Sequence, residues 1–177
     1  MPISADFLAL LRCPKCRGEY KAKVDRIREL LPGCGLSSDI IAGFCTETAE
    51  DHQDTLDMMN YAGYDFSYMF FYSERPGTLA HRRYKDDIPE AVKKSRLQEI
   101  VALQGKLSLQ SNHNDLGRTF EVLIESDSKK TDRDWMGRNS QNKVVVFPKG
   151  NSDHAPGQYV SVKITGCTQA TLLGELV

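Results

Sequence analysis

The sequence predicts an α/β segment joined to a small all-β module, the first forming part of a (β/α) barrel and the second a small antiparallel β-barrel. Three observations lead there. From residue 19 to about 111, helical and strand-like patterns alternate, as parallel βαβ units require. From Gly117 onward, short runs rich in Val, Ile, Thr, Tyr and Phe are separated by turn-formers, the pattern of closely spaced short strands. A polar run, Ser111 to Asp115, lies between the two patterns. The expected divisions are residues 1–18, a divergent amino terminus; 19–111, the α/β part; and 112–177, the β module.

The elements follow in order. Tyr20, Val24, Ile27 and Leu31 fall on one stripe of a 3.6-residue repeat, and Pro32-Gly33 ends that helix. Leu36–Gly43 reads as a buried strand. Thr48, with Asp51 three residues later, resembles a capping box opening a helix that Gly63 closes. Phe66–Tyr72 is a dense aromatic strand, followed by a charged loop. After Pro89, the residues Val92, Leu97, Ile100, Leu103 and Leu107 form one broad face of a long helix. In parallel units the functional loops lie at the carboxyl ends of the strands, here FCTET (44–48) and SERPGT (73–78). Two parallel strands cannot cover their own faces and edges, so exposed strand edges predict association or poor solubility.

Composition narrows the function classes. The 177 residues carry 23 Lys and Arg against 24 Asp and Glu, a net charge of −1, so attraction to nucleic acid must come from local clustering. No apolar run reaches the about 18 residues needed to span a bilayer, and the first residues lack the pattern of a signal peptide; the expectation is a soluble, cytoplasmic chain. The five cysteines, at 13, 16, 34, 45 and 167, fit a reducing compartment better than a disulfide framework.

The local clustering exists in the β module. Between Ser128 and Lys149 stand Lys129, Lys130, Arg133, Arg138, Lys143 and Lys149 against Asp132 and Asp134, six basic residues to two acidic. Such a patch supplies phosphate contacts, or it is a solvated loop. Trp135 and Phe147 are candidates to stack on bases or to fill the core, and Asn139, Gln141 and Asn142 to read base edges or make a turn.

The runs LSSDIIAGFCTETAEDHQDTLDMM (36–59), YMFFYSERPGTLAH (68–81), DDIPEAVKKSRLQEI (86–100), LIESDSKK (123–130) and MGRNSQNKVVVFP (136–148) resemble, in this fixed order, the carboxyl-terminal part of the radical S-adenosylmethionine tRNA methylthiotransferases. The likeness is greatest to those that make 2-methylthio-N6-dimethylallyladenosine, and the final module resembles a TRAM domain. The resemblance runs from about Tyr20 to Val177. It implies a radical S-adenosylmethionine barrel, methylthiolation of N6-isopentenyladenosine beside the tRNA anticodon, and S-adenosylmethionine with 4Fe-4S clusters as cofactors. It also implies tRNA as a partner, gripped by the TRAM-like module. Positions matching the family's strand-end loops are Asp39, Gly43, Phe44, Glu47, Tyr72, Arg75, Pro76, Gly77 and Thr78, expected near the cofactor. For RNA they are Lys129, Lys130, Arg133, Arg138, Asn142, Lys143, Phe147 and Lys149. Arg75 offers a guanidinium fork and Glu47 an anchor for a hydroxyl or amine; alternatively, the two pair with each other or cap helices.

Departures from the family pattern qualify the expectation. Three thiolates on a CxxxCxxC loop leave one iron of a cluster open, and here only Cys13 and Cys16 are available, with Ala9 four positions before Cys13. The chain alone is therefore expected not to carry out the radical reaction. The Cys13-Pro14-Lys15-Cys16 knuckle is half of a zinc site, since zinc takes four ligands, and the histidines at 52, 81, 113 and 154 show no ligand spacing. No metal ligand is assigned. Two readings follow: the carboxyl-terminal portion of a methylthiotransferase, partnered by the amino-terminal portion of such an enzyme or by a second copy, or a non-catalytic RNA-binding module derived from one. The cysteine inventory favours the second.

Overall fold

The computed structural model describes residues 14–150 and 153–177. Cys13 lies outside the described residues, and of Cys16 only the backbone is described, in a helix. By its internal contacts the chain divides into two compact units: residues up to Pro32 with Leu36–Gln104, and Gly33–Gly35 with Gly105–Val177.

In the first unit the elements are α1 (Pro14–Leu30), β1 (Ser37–Ala42), α2 (Ala49–Ala62), β2 (Phe66–Phe71), α3 (Leu79–Arg83) and the first part of α4 (Glu90–His113). The expected order of helices and strands is present. The charged loop additionally winds into α3, whose N-cap Thr78 accepts a hydrogen bond from the His81 N–H at 3.3 Å. β1 and β2 pair in parallel, from Ser37↔Phe66 to Ala42↔Phe71. The expectation of a (β/α) barrel is not met among the described residues: these two strands make a two-stranded sheet, too few to curl and close.

Side chains alternate across a strand, and the register puts Ser37, Asp39 and Ile41 on the same face as Phe66, Tyr68 and Phe70. That face is open, with Tyr68 61% and Phe70 55% exposed. On the other face Ile40 and Ala42 are buried. α2 begins as its sequence requires: the Thr48 hydroxyl accepts from the Asp51 N–H at 3.1 Å, and the Asp51 carboxylate accepts from the Thr48 N–H at 2.9 Å. Gly63, at φ 51°, closes it in the left-handed conformation that glycine tolerates. Thr48→Ala is expected to cost about 1 kcal/mol in a urea melt followed by circular dichroism.

Two helices bury faces other than those their apolar residues predict. On α1, Val24 is buried and Tyr20 half-buried, bonded through its hydroxyl to that of Tyr64, whereas Ile27 and, just past the helix end, Leu31 are exposed. On α4 the buried positions are Lys93, Ile100, Gln104, Ser108 and Asn112, one stripe at spacings of seven and four, and only Ile100 is apolar. Val92 is 37% exposed; Leu97, Leu103 and Leu107 are half-buried. Polar side chains are tolerated in this stripe because their hydrogen bonds are made. In the first unit, Gln104 donates to the Tyr64 carbonyl at 2.9 Å and accepts from the Ser67 hydroxyl at 2.9 Å. In the second, Asn112 donates to the Thr168 carbonyl at 2.9 Å.

The second unit holds β3 (Thr119–Ser128), β4 (Thr131–Asn139), β5 (Val144–Pro148), β6 (Tyr159–Cys167) and β7 (Leu172–Leu176). They close into a barrel in the order β3-β4-β5-β7-β6. The expected barrel is there, but it is not wholly antiparallel: β5 and β7 pair in parallel. The reason is parity. Strand direction can alternate all the way round only an even ring, so five strands force one parallel neighbour pair. Inward-facing residues recur at every second position, and Val122, Ile124, Trp135, Val145, Phe147, Val160, Val162, Ile164 and Leu172 form one buried core. Gly137 lets β3 and β4 approach, since a Cβ there would stand 2.2 Å from the Leu123 carbonyl oxygen.

Candidate functional site

Because β1 and β2 are parallel, the segments following them leave the sheet at one end. The Tyr72 N–H donates to the Ala42 carbonyl at 2.8 Å, holding the two exits together. Gly43 turns at φ 70°, where a Cβ would meet the Lys93 side chain at 2.4 Å, so the loop packs directly on α4. The Gly43 N–H donates to one Glu47 oxygen at 3.0 Å, and Arg96 of α4 donates to the other at 2.7 Å. Both carboxylate oxygens are thus engaged. The pairing of Glu47 with Arg75 that the sequence left open does not form. Arg75 is exposed, and its carbonyl accepts from the Thr78 hydroxyl at 2.8 Å across the Pro76-Gly77 turn, where Gly77 has φ 83°.

Lys93 is buried, and its ammonium donates to both oxygens of Asp86 at 2.6 and 2.5 Å and to the Tyr72 carbonyl at 3.3 Å. It also lies 5.1 Å from the centre of the Tyr72 ring. Phe44 stands edge-on to Tyr72 and Tyr84, with ring centres 4.9 and 5.8 Å away. The Tyr72 hydroxyl is buried without a hydrogen bond of good geometry. Burial, reinforced by Cys45 and the carboxylates of Glu74 and Asp86, pushes its phenol up to about 12, and burial likewise raises the Cys45 thiol. Asp39, by contrast, is exposed on the open face of the sheet.

The nine positions expected near a cofactor therefore divide. Gly43, Phe44, Glu47, Tyr72, Arg75, Pro76, Gly77 and Thr78 gather at the strand ends, and Asp39 stands apart on the sheet. For an iron–sulfur cluster the described residues do not fit, because no group of three or more His, Cys, Asp or Glu among them is placed to hold a metal ion.

The basic residues of the β module also divide. Lys129 and Lys130 in the β3–β4 turn and Arg133 at the start of β4 are exposed, and none forms an ion pair among the described residues. Arg138 is half-buried, 3.3 Å from Glu125 and bonded at 3.0 Å to the backbone and side-chain oxygens of Asn142. Asn142 makes the exposed turn at φ 61°. Lys149 pairs with Asp127 at 2.7 Å and lies 4.0 Å over the Trp135 ring.

Two expected RNA contacts are instead structural. Lys143 is buried, its ammonium 2.6 Å from Asp115 and 2.7 Å from the Ser111 hydroxyl. Phe147 is 1% exposed in the barrel core. A signal for both was present: 143, 145 and 147 share the parity of the inward-facing Val145. Of the partners that the sequence reading missed, Asp86 and Lys93 are 7 residues apart, while Arg96 and Asp115 lie 49 and 28 residues from Glu47 and Lys143, beyond the reach of a local pattern.

Residues 115–177 match the model of the TRAM domain family over the closed barrel just described. The β module is similar to TRAM domains. The chain is also 56% identical over 174 residues to a tRNA-2-methylthio-N(6)-dimethylallyladenosine synthase of Amoebophilus asiaticus, covering 98% of this chain and 35% of that protein. Proteins of the same name from Christiangramia forsetii and Chlorobaculum tepidum are 57% identical over 159 residues and 46% over 174. They are covered to 33% and 39% of their lengths, against 90% and 98% of this chain. The chain thus spans about a third of the length of these relatives and corresponds to their carboxyl-terminal part. The TRAM domain takes in Asp115, whose carboxylate anchors Lys143 beneath the barrel surface. No helix among the described residues is long and apolar enough to cross a membrane.

Proposed function

We propose that this chain is the tRNA-gripping carboxyl-terminal portion of a cytoplasmic methylthiotransferase acting on N6-dimethylallyladenosine. In this reading the TRAM domain binds the tRNA backbone through Lys129, Lys130 and Arg133. The observation that carries it is the division of the six cations between Lys129 and Lys149: these three are exposed without ion pairs among the described residues, while Arg138, Lys143 and Lys149 are matched by Glu125, Asp115 and Asp127. Unpaired surface cations exchange counterions for phosphates, whereas paired ones must first give up a partner. The names of the relatives support tRNA as the nucleic acid.

The strand-end cluster belongs to the same reading as one wall of the S-adenosylmethionine and substrate site. Arg75 and Phe44 offer a guanidinium and an aromatic surface there, and the Glu47–Arg96 pair fixes the loop after β1. Cluster ligands and the remaining walls are assigned to parts of such an enzyme outside the described residues. The test is a titration of tRNA onto the chain followed by fluorescence anisotropy at several salt concentrations. Binding that weakens steeply as salt rises is expected; no binding, or binding indifferent to salt, would overturn the proposal.

A further inference from the structure

A second concentration of positive charge lies in the first unit, between the strand-end loops and α4, on residues with no assigned role. His81, Arg82, Arg83, Tyr84 and Lys85 follow one another and are all exposed, Tyr84 at 40%. Of the acids next to them, Asp86 is bound to the buried Lys93 ammonium, and Asp87, although exposed, accepts the Thr46 N–H at 2.7 Å. Arg82, Arg83 and Lys85 have no ion pair among the described residues. The sequence, with its two aspartates directly after the basic run, reads as locally balanced. The fold pairs Asp86 with Lys93, leaving three outward cations against the one exposed carboxylate of Asp87.

This segment is held in place as well as charged. Thr78 caps α3 at one end, and the Tyr84 N–H donates to the Ala80 carbonyl at 2.9 Å at the other. Asp86 and Asp87 pin the following turn to α4 and to the loop after β1. Tyr84 meets Phe44 edge-on, which ties the basic run to the strand-end cluster and leaves ring surface open to solvent. Guanidinium groups beside an exposed aromatic ring suit unpaired RNA, whose phosphates take the cations and whose bases stack on the ring.

We propose that Arg82, Arg83, Tyr84 and Lys85 form a second RNA contact, separate from the TRAM domain, that takes the backbone and an unstacked base of a single-stranded loop. The proposal rests on the reading that the chain binds tRNA. It is tested with the whole chain and a fluorescent RNA stem-loop, measuring log Kd against log salt. Arg82→Ala/Arg83→Ala/Lys85→Ala should lower the slope by about 2, at roughly 0.7 per single-strand phosphate contact, and weaken binding on the order of tenfold or more at low salt. Arg82→Lys/Arg83→Lys, which keeps charge at both positions, should retain most of the slope, separating a phosphate contact from a packing defect. An unchanged slope in the alanine variant, with normal binding by the unaltered chain, would overturn this inference and leave the TRAM reading standing. Failure of the unaltered chain to bind any RNA would overturn both.

Discussion

Asp115→Asn is expected to lower the stability of the TRAM barrel by about 3–5 kcal/mol, the usual cost of breaking a buried ion pair. The substitution removes the carboxylate that lies 2.6 Å from the Lys143 ammonium, a group with only 7% of its side chain exposed. For a unit of this size each kcal/mol moves the melting temperature by about 4–8 °C, so the transition should fall by more than about 10 °C. Trp135, the chain's single tryptophan, sits in the barrel core and reports the melt by fluorescence. The double variant Asp115→Leu/Lys143→Met should recover most of the loss, because an apolar pair of similar volume avoids the desolvation of two ions. A single variant as stable as the unaltered chain would show that the pair is not buried in solution.

Phe147→Ala should destabilise the same barrel by a comparable about 3–5 kcal/mol, through lost burial and the cavity left behind. Phe147 is 1% exposed within the core cluster and lies opposite Trp135 across the β4–β5 pair. Urea unfolding followed by Trp135 fluorescence measures the loss as a lower midpoint. If Phe147 instead stacked on RNA bases, the variant would keep its midpoint and lose affinity. That contrast assigns the residue to core or surface directly.

The β module was the more legible part of the chain because its cores and turns are local. Alternation places Val145 and Phe147 inward, and the same parity carries Lys143 with them; reading charge alone put that lysine on the surface. Closure of five strands was not readable from the strands one at a time, so the parallel β5–β7 pair appears only when the ring is counted. In the α/β part, local rules again succeeded: Thr48 with Asp51 starts α2, and Gly63 stops it.

Tertiary pairing defeated the local reading elsewhere. Glu47 had Arg75 as a plausible neighbour, but Arg96, 49 residues along, arrives on α4 with better geometry. The apolar positions of α4 suggested one buried face, yet the helix buries Lys93, Gln104, Ser108 and Asn112, each of which has a hydrogen-bonded or ionic partner. Of the two aspartates after Lys85, Asp86 is taken up by Lys93 of α4 and only Asp87 stays exposed beside the basic run. Direction of side chains, set by partners far along the chain, decides which charges reach solvent.

The most direct measurement of the central claim is the salt dependence of tRNA binding by Lys129→Ala/Lys130→Ala/Arg133→Ala beside that of the unaltered chain. At roughly 0.7–0.9 counterions released per phosphate contact, the variant is predicted to lose about 2 to 3 from the slope of log Kd against log salt, with no change in its melting temperature. An unchanged slope in a normally folded variant would contradict the assignment of these three cations as the tRNA grip.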